Sequence, residues 1–383
     1  MKINSIAIFI WGLAGDAIAN NASAMAKGFL DLGIKDVYLI YLFAEPGRNV
    51  AVPEGSKLVA LGAKRSRWAP LLLSRFLREE RPEFLISMPT IINVPATLGW
   101  LLSGKGRTKF IISEHSTMSY KAYVEYKDDW RMRTLPWVAR FLYPMASGLR
   151  ANSEDVLDDL LNKIRIPMDR KRTITITNPV NVEAIAQHSL SPSSHPWLGH
   201  RHVPVILSVA RLAKQKNFPL LLQAFGKVRQ VMDAKLIILG EGPERPYLEA
   251  LTSQLGLSEH VSLPGFSDNP WSSMAKADVF VLPSEEEPFG LVLVEAMACG
   301  VPVIATDALG GGPRKIIGDS QHGILVPSDQ PSMLTDTMLD LLCSPEKRAF
   351  LIDAGKQRCQ AFKPQVVAQE WLSFLEHIDA LTS

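Results

Sequence analysis

The stretch from Asp278 to Asp307, DVFVLPSEEEPFGLVLVEAMACGVPVIATD, reads as strand, loop, helix, strand. Asp278-Val279-Phe280-Val281-Leu282 is a short apolar run with β-branched content, closed by Pro283-Ser284. Val301-Pro302-Val303-Ile304-Ala305 is a second such run, introduced by Gly300. Between them the spacing predicts a helix from about Phe289 to Cys299, with Leu291, Val294 and Ala298 on one face. Two strands joined by one helix make a βαβ unit, which implies a parallel sheet and a right-handed crossover. Glu295 lies inside this otherwise apolar helix, where a carboxylate is costly unless something pairs with it. Glu287 sits just before the helix, at the carboxyl edge of the strand, where open α/β sheets bind ligands. Phe289-Gly290-Leu291 opens the helix, and free amides at a helix start seat phosphate well. The other reading of the pair is that Glu287 caps the helix and Glu295 reaches the surface.

Glu287-x7-Glu295, within PSEEEPFGLVLVEAMACGVPVIATD, resembles the signature of the retaining glycosyltransferases of family 4, which have the GT-B fold. The resemblance implies two Rossmann-like, doubly wound α/β domains facing a central cleft. It also implies a nucleotide-diphosphate sugar as donor, bound by the second domain.

The bounds agree with such an architecture. A chain of 383 residues is long enough for two domains with full cores. Hydrophobic content of 47% and charged content of 21% are ordinary for a globular protein. A net charge of +2 gives no expectation of nucleic-acid binding, which usually needs a dense basic face. Cys299, Cys343 and Cys359 have no metal-ligand spacing and fit reduced thiols, so the expected location is the cytoplasm. Ser5 to Ile10 reads as a first strand rather than a signal peptide. Gly33 ends the helix that follows, and Val37 to Leu42 supplies the next strand.

The first half alternates strands at Ser5–Ile10, Val37–Leu42, Lys57–Ala60, Glu83–Ser87, Lys109–Ser113, Gly148–Ala151 and Thr173–Ile176 with helical patterns such as Ala69 to Glu80 and Glu154 to Lys163. That alternation predicts a doubly wound parallel sheet. The Gly12-Leu13-Ala14-Gly15 turn follows strand one and can cradle phosphate, but it is not GxGxxG. The family usually has a Gly-Gly pair here, so Gly15 is the carried-over donor contact. Ser113-Glu114-His115-Ser116 closes the Lys109 strand, and by resemblance His115 faces the donor sugar near its anomeric carbon. Tyr120 to Arg150 is rich in Tyr, Trp and Arg. It reads either as a solvated amphipathic helix or as an acceptor-binding or membrane-facing surface, and the Arg65-to-Arg81 stretch shares that ambiguity. Weak association with the inner face of a membrane therefore stays open.

Asn178 to Pro204 carries the expected boundary between an acceptor-binding domain over 1–180 and a donor domain over 181–362. In the second half, Arg211 and Lys216 fall between a strand at Pro204 to Val209 and a helix marked by Asn217 and Pro219. Two cations there suit a diphosphate, the Arg as a fork and the Lys as a point charge. By resemblance both hold the donor's pyrophosphate. Val261 to Phe266, with Gly265, is where the family places the nucleotide base. Leu309-Gly310-Gly311-Gly312-Pro313 reads as a flexible loop. Relatives often carry an acid after Arg314, where this chain has Lys315. The last helix, Pro364 to Ala380, puts Val367, Trp371, Phe374, Leu375 and Ile378 on one stripe, and in GT-B enzymes such a helix crosses back to the first domain.

The resemblance implies a catalytic set of Arg211, Lys216, Glu287 and His115. It implies donor contacts from Gly15, Gly265, Phe289, Gly290, Leu291 and Glu295, with Glu287 on sugar hydroxyls and Glu295 on the ribose. No DxD-type motif stands at a strand end, so neither a metal nor another cofactor is expected. The implied partners are the nucleotide sugar, with UDP-sugar as the family-weighted choice, and a saccharide or lipid-linked acceptor. A nucleotide-sugar epimerase of the same fold and a non-catalytic nucleotide-sugar binding protein are the alternatives.

Overall fold

A computed structural model describes residues 3–13, 17–43, 51–63, 65–193, 195–199 and 203–382. The chain divides into two compact units, Met1–Val180 with Phe362–Ser383 and Asn181–Ala361. In the first, the order is β1 (Ser5–Ile10), α1 (Ala17–Asp31), β2 (Asp36–Tyr41), β3 (Lys57–Ala60), α2 (Ala69–Glu80), β4 (Phe84–Ser87), α3 (Thr90–Leu102), β5 (Lys109–Glu114), α4 (Met118–Tyr120), α5 (Trp130–Leu142), β6 (Gly148–Ala151), α6 (Glu154–Asp158) and β7 (Thr173–Thr175). Among the described residues these strands form one parallel sheet, ordered β3-β2-β1-β4-β5-β6-β7. The inner strands are buried on both sides because helices cover both faces, while the edge strand β3 is largely exposed. One core joins the sheet to α2, α3 and α5, and the other joins it to α1 and the C-terminal helix. Gly33, at φ 85, follows α1 as the left-handed residue that ends it.

The second unit runs α7 (Val182–Ser189), β8 (Val205–Val209), α8 (Phe218–Val231), β9 (Lys235–Leu239), α9 (Arg245–Gln254), β10 (Val261–Gly265), α10 (Trp271–Met274), β11 (Val279–Leu282), α11 (Leu291–Ala298), β12 (Val303–Thr306), α12 (Gly312–Ile317), β13 (Ile324–Val326), α13 (Pro331–Cys343) and α14 (Pro345–Cys359). Its parallel sheet is ordered β10-β9-β8-β11-β12-β13. The stretch at 278–307 forms the βαβ unit its sequence implies, with Phe280, Val281 and Leu282 beside Val303, Ile304 and Ala305. The helix is shorter than expected. It starts at Leu291, because Gly290 at φ 87 sets the cap and Phe289 is buried outside the helix. Its buried face is Leu293, Val294, Ala296 and Met297 rather than Leu291, Val294 and Ala298.

The chain then returns to the first unit as α15 (Pro364–Thr382). It leaves and re-enters that unit at adjoining points, where the Val180 amide donates to the Phe362 carbonyl at 2.7 Å. The whole stripe Val367, Trp371, Phe374, Leu375 and Ile378 is buried. α15 crosses α1 closely: a Cβ on Gly28 would lie 2.2 Å from the Pro364 carbonyl oxygen, so only glycine fits there.

Candidate active site

β8 and β11 are neighbours at the middle of the second sheet. From β8 the chain goes to β9 on one side, and from β11 it goes to β12 on the other. The loops leaving the two carboxyl ends therefore diverge and open a crevice, the switch point where such sheets bind ligands. Arg211 and Lys216 lie on the first loop, and Glu287 and the start of α11 follow the second. Arg211 is exposed and Lys216 half-buried. Asn217, left-handed at φ 47, turns the chain into α8, whose first turn carries Pro219. Asn tolerates that region better than other non-glycine residues, and proline suits a helix start.

Seventy-one residues separate Lys216 from Glu287, yet the Lys216 Nζ lies 2.5 Å from the Glu287 Oε2. The Ser284 hydroxyl donates to the same oxygen at 3.2 Å. Glu287 is thus a buried, aimed carboxylate, not a helix cap. Backbone bonds hold the two loops in place. The Glu285 amide donates to the Gln215 carbonyl at 2.8 Å, and the Glu287 amide donates to the Leu309 carbonyl at 2.7 Å. The glycine tract at 310–312, expected to be flexible, is instead pressed against this loop. A Cβ on Gly312 would lie 2.3 Å from the Phe289 Cα and carbonyl oxygen, and Gly310 has φ 93 with Pro288 against it. The glycines let two backbones touch. Two more do the same for the Arg211 loop: a Cβ on Gly240 or Gly242 would strike the carbonyl of Ala210 or Leu212.

Gly290 caps α11, and the amides at Leu291 and beyond supply the positive end of its dipole beside Glu287. One turn in, Glu295 is half-buried and accepts from the Trp271 Nε1 at 3.1 Å. Burial raises its carboxyl pKa, and the Trp271 hydrogen bond opposes that rise. At the end of β10, Gly265 (φ 96) is buried, and a Cβ there would lie 2.8 Å from the Glu241 Oε1. Arg245 grips Glu241 through two contacts of 2.7 and 2.9 Å and reaches the Leu263 carbonyl at 3.0 Å. Beyond it Phe266 is 67% exposed, which leaves an aromatic face at the rim of the strand ends.

In the first unit, His115 follows β5. Its Nε2 lies 2.9 Å from the Ser113 hydroxyl and 3.4 Å from the Arg150 Nη1. A guanidinium only donates, so Nε2 accepts and the ring carries its proton on Nδ1. Burial first, then Arg150 and Lys121, hold the His115 pKa well below its ordinary value, and the ring is neutral at physiological pH. Arg150 is fully buried, held by the Asn178 Oδ1 at 2.9 Å and set over the Trp371 ring. Desolvation lowers its pKa to about 9. Glu114, also fully buried, accepts from the Thr90 hydroxyl at 2.5 Å, the Asn93 amide at 2.7 Å and the Tyr143 hydroxyl. Gly15 lies outside the described residues.

Sequence reasoning missed Ser284, Trp271 and Arg150. Ser284 stands three residues before Glu287 in the quoted motif and was findable there. The other two are brought in by tertiary packing alone.

The family model described as Glycosyl transferases group 1 matches residues 198–358, and that of Glycosyltransferase Family 4 matches residues 23–184. The chain is 32% identical over 269 residues to the N-acetylgalactosamine-N,N'-diacetylbacillosaminyl-diphospho-undecaprenol 4-alpha-N-acetylgalactosaminyltransferase of Campylobacter jejuni, covering 70% of each chain. It is 27% identical over 215 residues to the alpha-D-kanosaminyltransferase of Streptomyces kanamyceticus, covering 55% of each. Among solved structures, sucrose-phosphate synthase from Thermosynechococcus elongatus superposes with a TM-score of 0.77 at 21% identity, over 98% of this chain and 99% of that one. Anabaena HepE in complex with UDP and glucose gives 0.73 at 19% identity, over 97% and 99%. At these identities the structural likeness speaks for the fold.

Proposed function

The chain belongs to glycosyltransferase family 4, and we propose that it moves a hexose or N-acetylhexosamine from a UDP-sugar to an acceptor hydroxyl with retention of the anomeric configuration. The observation that carries the donor assignment is the Lys216–Glu287 pair at the β8/β11 switch point, beside Arg211 and the start of α11. Lys216, a cation for a diphosphate, touches Glu287, a carboxylate for sugar hydroxyls, and Arg211 lies on the same loop as Lys216. Arg211, Lys216 and the α11 amides stabilise the negative charge that grows on the leaving diphosphate, the largest catalytic term in such reactions. Glu287 holds sugar hydroxyls, Glu295 the ribose, and Gly265 with Phe266 the base. By the family resemblance His115 faces the sugar near its anomeric carbon, and Gly15 remains a donor contact. The anomeric C–O bond to phosphate breaks, and a C–O bond to the acceptor forms on the same face. The acceptor's proton passes to the departing phosphate oxygen, so no protein nucleophile takes part. The two cations supply the charge that a metal otherwise supplies, and the reaction proceeds without one.

The second unit is the donor unit in this reading, and residues 1–180 bind the acceptor. The Campylobacter relative named for a diphospho-undecaprenol-linked saccharide supports a lipid-linked acceptor, and the proposed place of the reaction is the cytoplasmic face of a bacterial envelope. The solved complex of HepE with UDP and glucose supports the UDP-sugar. The test is a thermal-shift panel of UDP, GDP, ADP and their common sugars, with and without EDTA. A ligand that binds the native state raises its melting temperature with concentration. A rise with the uridine compounds alone, unchanged by EDTA, is expected. A rise with GDP or ADP alone reassigns the base, a rise lost with EDTA restores a metal, and no rise at all removes the donor reading.

A further inference from the structure

α3 and α5 pack side by side in the helix layer over one face of the first sheet. Each has two apolar faces. α3 buries Ile92, Ala96 and Trp100 against the core, and on its other side Ile91, Leu98 and Leu102 are 56%, 40% and 53% exposed. Spacings of seven and four put these three on one stripe. The sequence TIINVPATLGWLL has no charged residue, where a surface helix of a globular protein normally shows a polar face. α5 repeats the arrangement with aromatic residues. Pro136 and Ala139 face inward, while Trp130, Trp137 and Phe141, again seven and four apart, are 69%, 66% and 57% exposed. The Trp137 and Phe141 rings meet edge to face at 4.7 Å. On a helical projection Arg133 and Arg140 border this stripe on one side and Arg131 on the other, with the Arg131 guanidinium 5.7 Å from the Trp130 ring. α5 contains no acidic residue. Adjacent exposed apolar stripes on neighbouring helices mark an interaction surface rather than scattered side chains.

We propose that the outward faces of α3 and α5 form a docking surface for an anionic phospholipid bilayer. Tryptophan and phenylalanine flanked by arginine are the composition of a helix lying in the headgroup region, with its apolar face entering the acyl boundary. The three arginines complement lipid phosphate. A second copy of the chain fits poorly, since a two-fold contact through α5 sets arginine against arginine. Among the described residues no helix is long and apolar enough to cross a membrane, and the exposed stripes of α3 and α5 suit helices lying in the surface. The inference deepens the lipid-linked acceptor reading by naming where the bilayer meets the protein, and the binding itself is measured without donor or acceptor.

The full chain is sedimented with vesicles of phosphatidylcholine with and without phosphatidylglycerol, at low and high salt, while tryptophan emission is recorded. Binding to the anionic vesicles, weakened by salt and accompanied by a blue shift, is expected. The triple variant Arg131→Gln/Arg133→Gln/Arg140→Gln should lose about a hundredfold in partitioning, at roughly fivefold for each charge. Trp130→Ser/Trp137→Ser/Phe141→Ser should abolish both binding and the blue shift, with an unchanged melting temperature because all three positions are exposed. Leu98→Ser tests α3 and should weaken binding several-fold. No association of the wild type with anionic vesicles overturns the proposal, as does undiminished binding by the aromatic variant. A concentration-dependent dimer that the aromatic variant abolishes, without vesicle binding, assigns the surface to a second copy instead. None of these results bears on donor binding, which the nucleotide panel decides alone.

Discussion

Lys216 and Glu287 share one short contact, so substituting either leaves the other changed. In the proposed reaction their roles nevertheless differ. Lys216→Ala and Arg211→Ala each remove a donor aimed at developing charge and should lower kcat by about a hundredfold or more. Glu287→Ala should abolish transfer while UDP still raises the melting temperature, because the carboxylate serves the sugar and not the nucleotide. Near-normal turnover in both cation variants would remove the diphosphate assignment, and lost UDP binding in Glu287→Ala would exchange the roles of Glu287 and Glu295. His115 makes a prediction of a different kind. Its native pKa is depressed mainly by burial, from an ordinary value of 6.5. As pH falls below 6.5, the unfolded chain takes up a proton that the native imidazole refuses. The stability this group contributes is therefore full above 6.5 and is lost as pH falls toward the depressed native value, by up to about 1.4 kcal/mol per pH unit for one proton. His115→Asn should show a shallower loss between pH 7 and 5 in urea unfolding than the wild type. Parallel curves would mean that the ring titrates as if exposed.

At the scale of elements, the glycines divide into those that permit contact and those that do not. Gly312 opens α12 against the backbone of Phe289, so Gly312→Ala must push apart the loops that hold Glu287. Overpacking of this kind costs about 1–3 kcal/mol, and here it should also raise the donor KM. Gly226, inside α8, has its nearest neighbour for an added Cβ at 3.7 Å, an ordinary contact. Gly226→Ala should stabilise the protein by about 0.5–1 kcal/mol through helix propensity, with KM unchanged. Chemical denaturation and donor kinetics on the two variants check both statements. The same contrast explains what was legible in the sequence. Strands such as Ser5–Ile10 and Gly148–Ala151 were readable to the residue, because burial on both faces leaves runs of apolar residues between punctuating turns. α7 was read as part of the boundary and its approach, although Asn181 caps it by accepting from the Ala184 amide at 3.2 Å. Arg211, Lys216 and Glu287 stood out by residue type and loop position and Glu295 as a carboxylate in an apolar helix, and the family resemblance supplied their expected roles. The Lys216–Glu287 contact, the Trp271 bond to Glu295 and the glycine contacts at 310–312 join segments far apart in the chain, and local pattern carries no distance between them.

At the scale of the whole molecule, the two units have separate cores, but only the second is built from one continuous segment. The first is completed by α15, which brings Val367, Trp371, Phe374, Leu375 and Ile378 to the sheet face that α1 also covers. Trp371 is fully buried, and its ring also covers the Arg150 guanidinium beside His115. Trp371→Ala should therefore cost the first unit about 3–5 kcal/mol. The core of the second unit contains no residue of α15, so its own stability should be retained. Melting the variant in the presence of UDP separates the two. The expected result is an early transition that UDP does not move, followed by a later one that rises with UDP concentration, since in the proposed reading only the second unit binds the nucleotide. Turnover should be lost over the early transition, because the first unit, which carries His115 and in the proposed reading the acceptor site, is then unfolded while the second remains. A single transition that UDP shifts as a whole would show that the units unfold as one, and it would transfer the role of α15 from closing one core to holding the entire chain.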